Sequence, residues 1–194
     1  MARPRTVPRV AALVVLVAGP VLAQEPETGL TRTLELRAHQ ALIDRIARPD
    51  TGLAPFETDG CSGGLSQVWG MVSARFPEFA ETYKAAPPWE ACCFTHDRAY
   101  HAAAEASTAE ESYDARVLAD AELRSCVNET GRLRRSELAE QYGVTPDRVE
   151  LAYGLIADAM HLAVRFGGGP CSGLSWRWGY GYPNCSVLQT LTGD

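Results

Sequence analysis

The stretch CCFTHDRAY, residues 92–100, places two adjacent cysteines four residues ahead of a His-Asp pair. Residues four apart on an α-helix lie on the same face, so Cys92, His96 and Tyr100 form one row. Cys93 and Asp97 form a second row beside it. The spacing therefore predicts a helix that adjacent cysteines can tie to two different neighbours, with the histidine and the aspartate fixed next to each other.

The N-terminus has the pattern of a secretory signal. Three arginines precede the apolar run AALVVLVAG, and small residues in VLAQ follow it. This run is shorter than the roughly 20 apolar residues that a membrane-spanning helix requires. We therefore expect a signal peptide over residues 1–23, cleaved after Ala23, and a secreted protein that resides in the periplasm or outside the cell.

Composition limits what the remaining chain can be. A hydrophobic content of 46% over 194 residues supports one globular domain, which we place at residues 24–194. Without the signal peptide the chain has 15 basic and 24 acidic residues, a net charge of −9, which does not favour nucleic acid as a partner. Six cysteines in an exported chain without a CxxC pair favour disulfides over a zinc site.

Hydrophobic periodicity and capping signals predict a mainly helical fold. No repeat or linker divides the chain, and residues 171–185 are expected to form an aromatic-rich hairpin or a stapled loop. The predicted helices cover residues 33–48, residues 87–105, a segment that a Ser107/Glu110 capping box opens and that continues to Val127, residues 136–142, and a segment from Pro146 to the glycines at 167–169.

Two further features add to the His-Asp pair, which alone is common on helix surfaces. The loop DGCSGG, residues 59–64, contains small residues whose backbone can curl until carbonyl groups point at one hard cation, although such a sequence also forms plain turns. Asp120 lies six residues before Cys126 on the third predicted helix.

These residues together resemble the secreted calcium-dependent phospholipases A2. The family signature CCxxHDxxY is met by the stretch at residues 92–100, the Gly-rich loop by DGCSGG, and the antiparallel partner helix by Asp120 and Cys126. The stretch IADAMHLAVRFGGGPC, residues 156–171, is similar to the group XII and bacterial branch. The resemblance covers about residues 57–171 and implies a disulfide-stapled helical domain with two antiparallel active-site helices and a calcium loop.

The resemblance implies calcium-dependent hydrolysis of the sn-2 acyl ester of glycerophospholipids at a membrane or micelle surface. His96 would be the general base that deprotonates a water, and Asp120 would hold its ring, with Tyr100 hydrogen-bonded to Asp120. Calcium would bind the Asp97 carboxylate. Its remaining implied protein ligands are the backbone carbonyls of Gly60, Ser62 and Gly64.

The resemblance also implies the disulfides Cys61–Cys93, Cys92–Cys126 and Cys171–Cys185. The sequence departs from the family at three places: Ser62 replaces a loop glycine, a long insertion follows the loop, and Ala119 stands where many members have a cysteine.

Two rival interpretations remain open. A secreted lipid-binding or toxin-like protein could use the same scaffold without turnover, although the chain retains both His96 and Asp97. A two-metal His-Asp phosphohydrolase would need more ligands spread over several helices.

Several other residues are weaker candidates for a functional role. We expect His101 to be solvated and His161 to be packed or capped. Tyr113 is predicted either to donate a second hydrogen bond to Asp120 or to pack in the core. At least half of the four tryptophans are expected in the core, and the others could contact lipid.

Overall fold

The computed structural model describes residues 29–58, 60–61 and 86–185. The predicted signal peptide and the calcium-loop residues Ser62 and Gly64 lie outside this range. The described residues form α-helices and no β-strand, which confirms the mainly helical prediction. The helices are α1 (Gly29–Ile46), α2 (Glu90–His101), α3 (Ala109–Leu133), α4 (Arg135–Tyr142) and α5 (Pro146–Gly167).

The long helix α3 is the centre of the described fold. It packs against α1, α2, α4 and α5, and its contact with α5 is the most extensive. Between α2 and α3 the bonded partners run in opposite order: Cys92 joins Cys126, and Tyr100 contacts Arg116. The two helices are therefore antiparallel, and His96 and Tyr100 on α2 face Asp120 on α3.

Two buried clusters hold α2 along its length. Cys92 and Cys93, near its start, pack with Leu123 and Val127 in one cluster. Tyr100, near its end, belongs to another cluster with residues of α1 and of the C-terminal tail, namely Leu42 and Trp178. Because the two ends of α2 are buried against different elements, the residues between them have little freedom to shift.

The second helix ends earlier than predicted, at His101 instead of Glu105. Ala103, Ala104 and Glu105 have φ values of 50°, 51° and 57°, which form a left-handed turn. Side chains other than glycine adopt this conformation only when the surrounding structure imposes it, since the Cβ atom is then crowded. Helical periodicity could not predict this ending, because alanine is a strong helix former.

The predicted capping box of the third helix is shifted by one residue. The Thr108 hydroxyl, not that of Ser107, accepts the N–H of Glu111 at 3.2 Å. The Glu111 carboxylate accepts in turn from the amide and hydroxyl of Ser107. Both registers match the S/T-x-x-E pattern in the sequence, and the helix continues to Leu133, six residues beyond the predicted end.

The three disulfides Cys61–Cys93, Cys92–Cys126 and Cys171–Cys185 are present, and none of the described cysteines is free. The implied pairing is therefore confirmed. Three disulfides are typical of proteins in oxidising compartments. Within the described part of the chain, no helix has the length and apolar character needed to cross a membrane.

The C-terminal tail forms a series of turns, so of the two predicted alternatives the stapled loop is correct. Trp178 is fully buried, and its amide donates to the carbonyl of Gly168 at 2.8 Å. The amide of Gly179 donates to the carbonyl of Tyr100 at 2.7 Å. Trp89 is also buried, so the prediction that at least half of the tryptophans lie in the core is confirmed.

Candidate functional site

His96, Asp120 and Tyr100 meet at the contact between α2 and α3. The Nε2 atom of His96 lies 3.1 Å from Oδ1 of Asp120, and the Tyr100 hydroxyl donates to the same oxygen at 2.6 Å. His96 is 7% exposed and Asp120 is fully buried. The structure thus brings together the three residues for which the family resemblance implies catalytic roles, with the contacts that it implies.

Local sequence explains this arrangement. His96 and Tyr100 are one helical turn apart, so their rings lie next to each other on one face, with centroids 4.1 Å apart. Cys92, one turn earlier on the same face, is joined to Cys126 of α3. Asp120 is on the same helix, six residues before Cys126, and its carboxylate contacts the polar atoms of both rings.

Burial and hydrogen bonding act in opposite directions on the pKa of His96. Burial lowers it, but the contacts with Asp120 and Asp97 outweigh burial and raise the pKa above its usual value. Burial also raises the pKa of Tyr100, so its hydroxyl stays protonated and donates to Asp120. Burial would raise the pKa of Asp120, yet His96, Arg116 and Tyr100 together hold it below its usual value. Asp120 is therefore a carboxylate that can orient the imidazole ring.

The second ring nitrogen of His96 lies on the side of Asp97. Nδ1 is 3.7 Å from Oδ1 of Asp97, and both residues line a cavity of about 310 Å³. With Nε2 directed to Asp120, Nδ1 is the nitrogen that can accept a proton from a molecule in this cavity. The contact with Asp120 orients the His96 ring and also sets its tautomer. Because the ionised Asp120 carboxylate can only accept a hydrogen bond, Nε2 of His96 carries the hydrogen.

The cavity is mostly apolar and is built from several elements. Helix α5 forms one wall, and the Cys61–Cys93 disulfide and Trp176 of the tail also line the cavity. The wall residues from α5 are Ile156, Ala159, Met160, Ala163 and Val164. The lining is apolar along α5, and His96 and Asp97 are its titratable side chains among the described residues.

The residues proposed for calcium are only partly within the described chain. Asp97 is 6% exposed, and the Thr58 hydroxyl donates to its Oδ2 atom at 2.5 Å. The Gly60 amide donates to the same hydroxyl at 3.0 Å, which places the start of the predicted calcium loop beside Asp97. Gly60 has φ 77°, a conformation that favours glycine.

These contacts fit a cation with oxygen ligands. Among the described residues, Asp97 contacts Nδ1 of His96 through Oδ1 at 3.7 Å and the Thr58 hydroxyl through Oδ2. No cluster of three or more His, Cys, Asp or Glu side chains suited to a metal occurs among the described residues. A calcium site that combines one carboxylate with backbone carbonyls does not require such a cluster.

Sequence reasoning missed the charged groups behind Asp120. Arg165 donates from Nη1 to Oδ2 of Asp120 at 3.2 Å, and Nε of Arg116 lies 3.9 Å from the same oxygen. Glu35 of α1 pairs with both arginines. The only signal in the sequence was the four-residue spacing between Arg116 and Asp120, because Glu35 and Arg165 come from distant parts of the chain.

Two expectations about neighbouring residues need correction or refinement. His101 is 5% exposed, not solvated, because Phe56 and Tyr180 pack edge-on against its ring and the tail backbone bonds to its carbonyl. Tyr113 is buried against His39, with the Arg32 guanidinium over its ring, which fits the predicted role in the core.

Comparison of the chain with known family models, curated proteins and solved structures found no match.

Proposed function

We propose that this chain is a calcium-dependent phospholipase A2 that hydrolyses the sn-2 acyl ester of glycerophospholipids. The observation that supports this proposal best is the bonded set His96–Asp120–Tyr100 at the polar end of an apolar cavity that Asp97 also lines. The similarity of the sequence to that family's signature, given above, points the same way.

In this proposal His96 acts as the general base. A water molecule in the cavity gives a proton to Nδ1 while its oxygen attacks the ester carbonyl carbon. The ester C–O bond then breaks, the glycerol oxygen takes up the proton, and a free fatty acid and a lysophospholipid leave. Asp120 stabilises the imidazolium that forms, because its Oδ1 atom faces Nε2 at 3.1 Å. Tyr100 keeps the same oxygen in place through its 2.6 Å hydrogen bond.

Calcium would be held by the Asp97 carboxylate and by backbone carbonyls of the loop that contains Gly60, Ser62 and Gly64. When bound, the ion would polarise the ester carbonyl and stabilise the negative charge that develops on its oxygen. Thr58 would orient Asp97 through the hydrogen bond to Oδ2.

The surface around the cavity supports a substrate that is presented by a membrane or micelle. Helix α5, which forms the cavity wall, also carries large apolar side chains that face away from the core. Phe166 is 89% exposed. The others on this helix are Leu151, Leu155 and Leu162. Exposed apolar surface next to an apolar cavity is consistent with a lipid substrate.

Release of labelled fatty acid from sn-1- and sn-2-labelled phospholipid vesicles tests the proposal. We expect sn-2 release that requires calcium and is abolished in His96→Gln, with the fold and disulfides retained. His161→Gln is the matched control, because His161 is half-buried on α5 and does not line the cavity. Vesicle binding without release by the wild type would favour the alternative of a non-catalytic lipid-binding protein, and substantial release by His96→Gln would exclude the proposed mechanism.

A further inference from the structure

The two oxygens of the Asp120 carboxylate have different partners. Oδ1 faces His96 and Tyr100, whereas Oδ2 accepts from Arg165 at 3.2 Å and lies 3.9 Å from Nε of Arg116. A carboxylate bonded on both oxygens cannot rotate about its Cβ–Cγ bond without breaking at least one contact. The orientation of Asp120 toward His96 therefore depends on Arg165, which binds Oδ2, and on the charge of Arg116 beside the same oxygen.

The arginines are themselves held by Glu35 of helix α1. Nη2 of Arg165 lies 3.1 Å from Oε2 of Glu35, and Nη1 of Arg116 donates to Oε1. Arg116 is 1% exposed, and its remaining nitrogen donates to the carbonyls of Val164 and Arg165 at 2.8 and 2.9 Å. Each guanidinium thus uses some of its N–H groups on Glu35. Arg165 donates another to Asp120, and Arg116 donates from Nε to the Tyr100 hydroxyl at 3.2 Å, which itself donates to Asp120.

The charges of the two carboxylates and the two arginines in this network balance. Two buried or half-buried carboxylates, Glu35 and Asp120, face two guanidinium groups when His96 is neutral. Burial raises the pKa of Glu35, but the neighbouring His39 ring and the charges of Arg116 and Arg165 hold it below its usual value, so Glu35 is ionised. Without that negative charge, two arginines would compete for one oxygen of Asp120, and a buried positive charge would be left without a partner.

We propose that Glu35 is a positioning residue for the candidate site: through Arg165 and Arg116 it fixes the Asp120 carboxylate, and thereby the ring of His96. This inference rests on the proposed function where it concerns turnover, but the geometric link from α1 to Asp120 does not. Helix α1 contributes no residue to the cavity lining. Through Glu35 it nevertheless has a role in the chemistry of a site formed by α2 and α3.

The first test does not depend on activity. Proton NMR follows the Nε2–H of His96, identified as the signal lost in His96→Gln, and measures its exchange with water. In Glu35→Gln we expect this exchange to be about tenfold faster. Mutating a residue that holds a directly contacting group in place commonly changes the function of a site tenfold or more. Asp114→Asn is the matched control, because Asp114 forms an exposed ion pair with Arg32 of α1, also between α1 and α3, at 3.5 Å.

The second test is a double-mutant cycle on fatty acid release. Glu35→Gln should lower kcat about tenfold with KM little changed. In an Asp120→Asn background the same substitution should change kcat by less than about twofold, because its effect passes through Asp120. A merely structural role would instead give a similar loss in both backgrounds, and that result would overturn the proposal.

The outcomes separate this inference from the proposed function. If the wild type releases no fatty acid, the phospholipase proposal fails, and the exchange measurement alone decides whether Glu35 positions Asp120. Unchanged exchange in a folded Glu35→Gln protein would overturn the inference. If Glu35→Gln does not fold, Arg165→Lys tests the same link from α5: a single ammonium group cannot bind Glu35 and Asp120 as a guanidinium does, so exchange should again be faster, and unchanged exchange would overturn the inference.

Discussion

At the scale of single residues, Asp97 carries the calcium proposal. Asp97→Asn retains the shape of the side chain and removes its negative charge from a site of oxygen ligands. We expect calcium affinity to fall at least about tenfold, while the disulfides keep the helices in place. Isothermal titration calorimetry measures the affinity, and Asp44→Asn, on the exposed side of α1, is the control. Equal calcium affinity in wild type and Asp97→Asn would show that the ion binds elsewhere.

His39 provides a second residue-scale prediction, on stability. Its ring is fully buried, shares a 2.8 Å hydrogen bond with Ser112, and contacts the rings of Tyr113 and Trp178. Burial lowers the pKa of His39. Glu35 on its own helix acts in the opposite direction, and the charges of Arg116 and Arg165 lower the pKa further.

The sign of the pH effect follows from this lowered pKa. Below the ordinary histidine pKa of about 6.5, the unfolded chain binds a proton that folded His39 does not, so stability decreases as the pH falls. The urea midpoint measured without calcium should therefore be lower at pH 5.5, relative to its value at pH 7.5, in the wild type than in His39→Gln. His96, whose pKa is raised, contributes with the opposite sign in both proteins. An identical pH dependence in the two proteins would contradict the prediction.

At the scale of elements, the contact between α3 and α5 depends on Gly131. A Cβ atom at this position would lie 2.4 Å from Cβ of Tyr153, which belongs to the facing helix. Gly131→Ala should therefore destabilise the fold by about 1–3 kcal/mol, as overpacked cores do. Chemical denaturation followed by circular dichroism measures the loss.

Gly154, on α5, is the matched control for Gly131. Its added Cβ would meet nothing closer than Oδ1 of Asn128 at 3.8 Å. Gly154→Ala should stabilise the protein by about 0.5–1 kcal/mol, because alanine favours the helix more than glycine does. If both variants change stability by the same amount and sign, the close approach of α3 and α5 at Gly131 is not present in solution.

At the scale of the whole molecule, the Cys171–Cys185 disulfide closes the tail whose Trp178 packs on Tyr100 at 4.9 Å between ring centroids. The two cysteines are 14 residues apart, and a loop of that length corresponds to about 3 kcal/mol of stabilisation. Replacing both by serine should lower the urea midpoint and leave the helical circular dichroism signal largely intact.

Peptide mapping under non-reducing conditions checks the same bond directly. We expect the three native pairs and no alkylated cysteine in the folded wild type. A peptide that links Cys171 to any cysteine other than Cys185, or an unchanged urea midpoint in the double serine variant, would contradict the prediction.

The sequence by itself determined the helical nature of the chain and the shared helix face of His96 and Tyr100, and the family resemblance added Asp120 as their partner. Helical periodicity is local, so the spacing of His96 and Tyr100 fixed their shared face before any tertiary contact was known. The disulfide pairing followed from the family resemblance and is present in the structure. Helix ends were less predictable, since both Ser107 and Thr108 satisfied the capping pattern. The three alanines after His101 favour a continued helix, so the sequence did not predict the left-handed turn there.

Only the tertiary structure decided what surrounds Asp120. Glu35 lies 81 residues from Arg116 and 130 residues from Arg165 in the chain, and no spacing rule connects residues at such separations. They meet because α1 and α5 both pack against α3 close to Asp120. The burial of His101 has the same origin, because the tail folds over the end of α2. Local pattern specifies which face of a helix a residue occupies, whereas the packing of distant helices specifies which charges meet there.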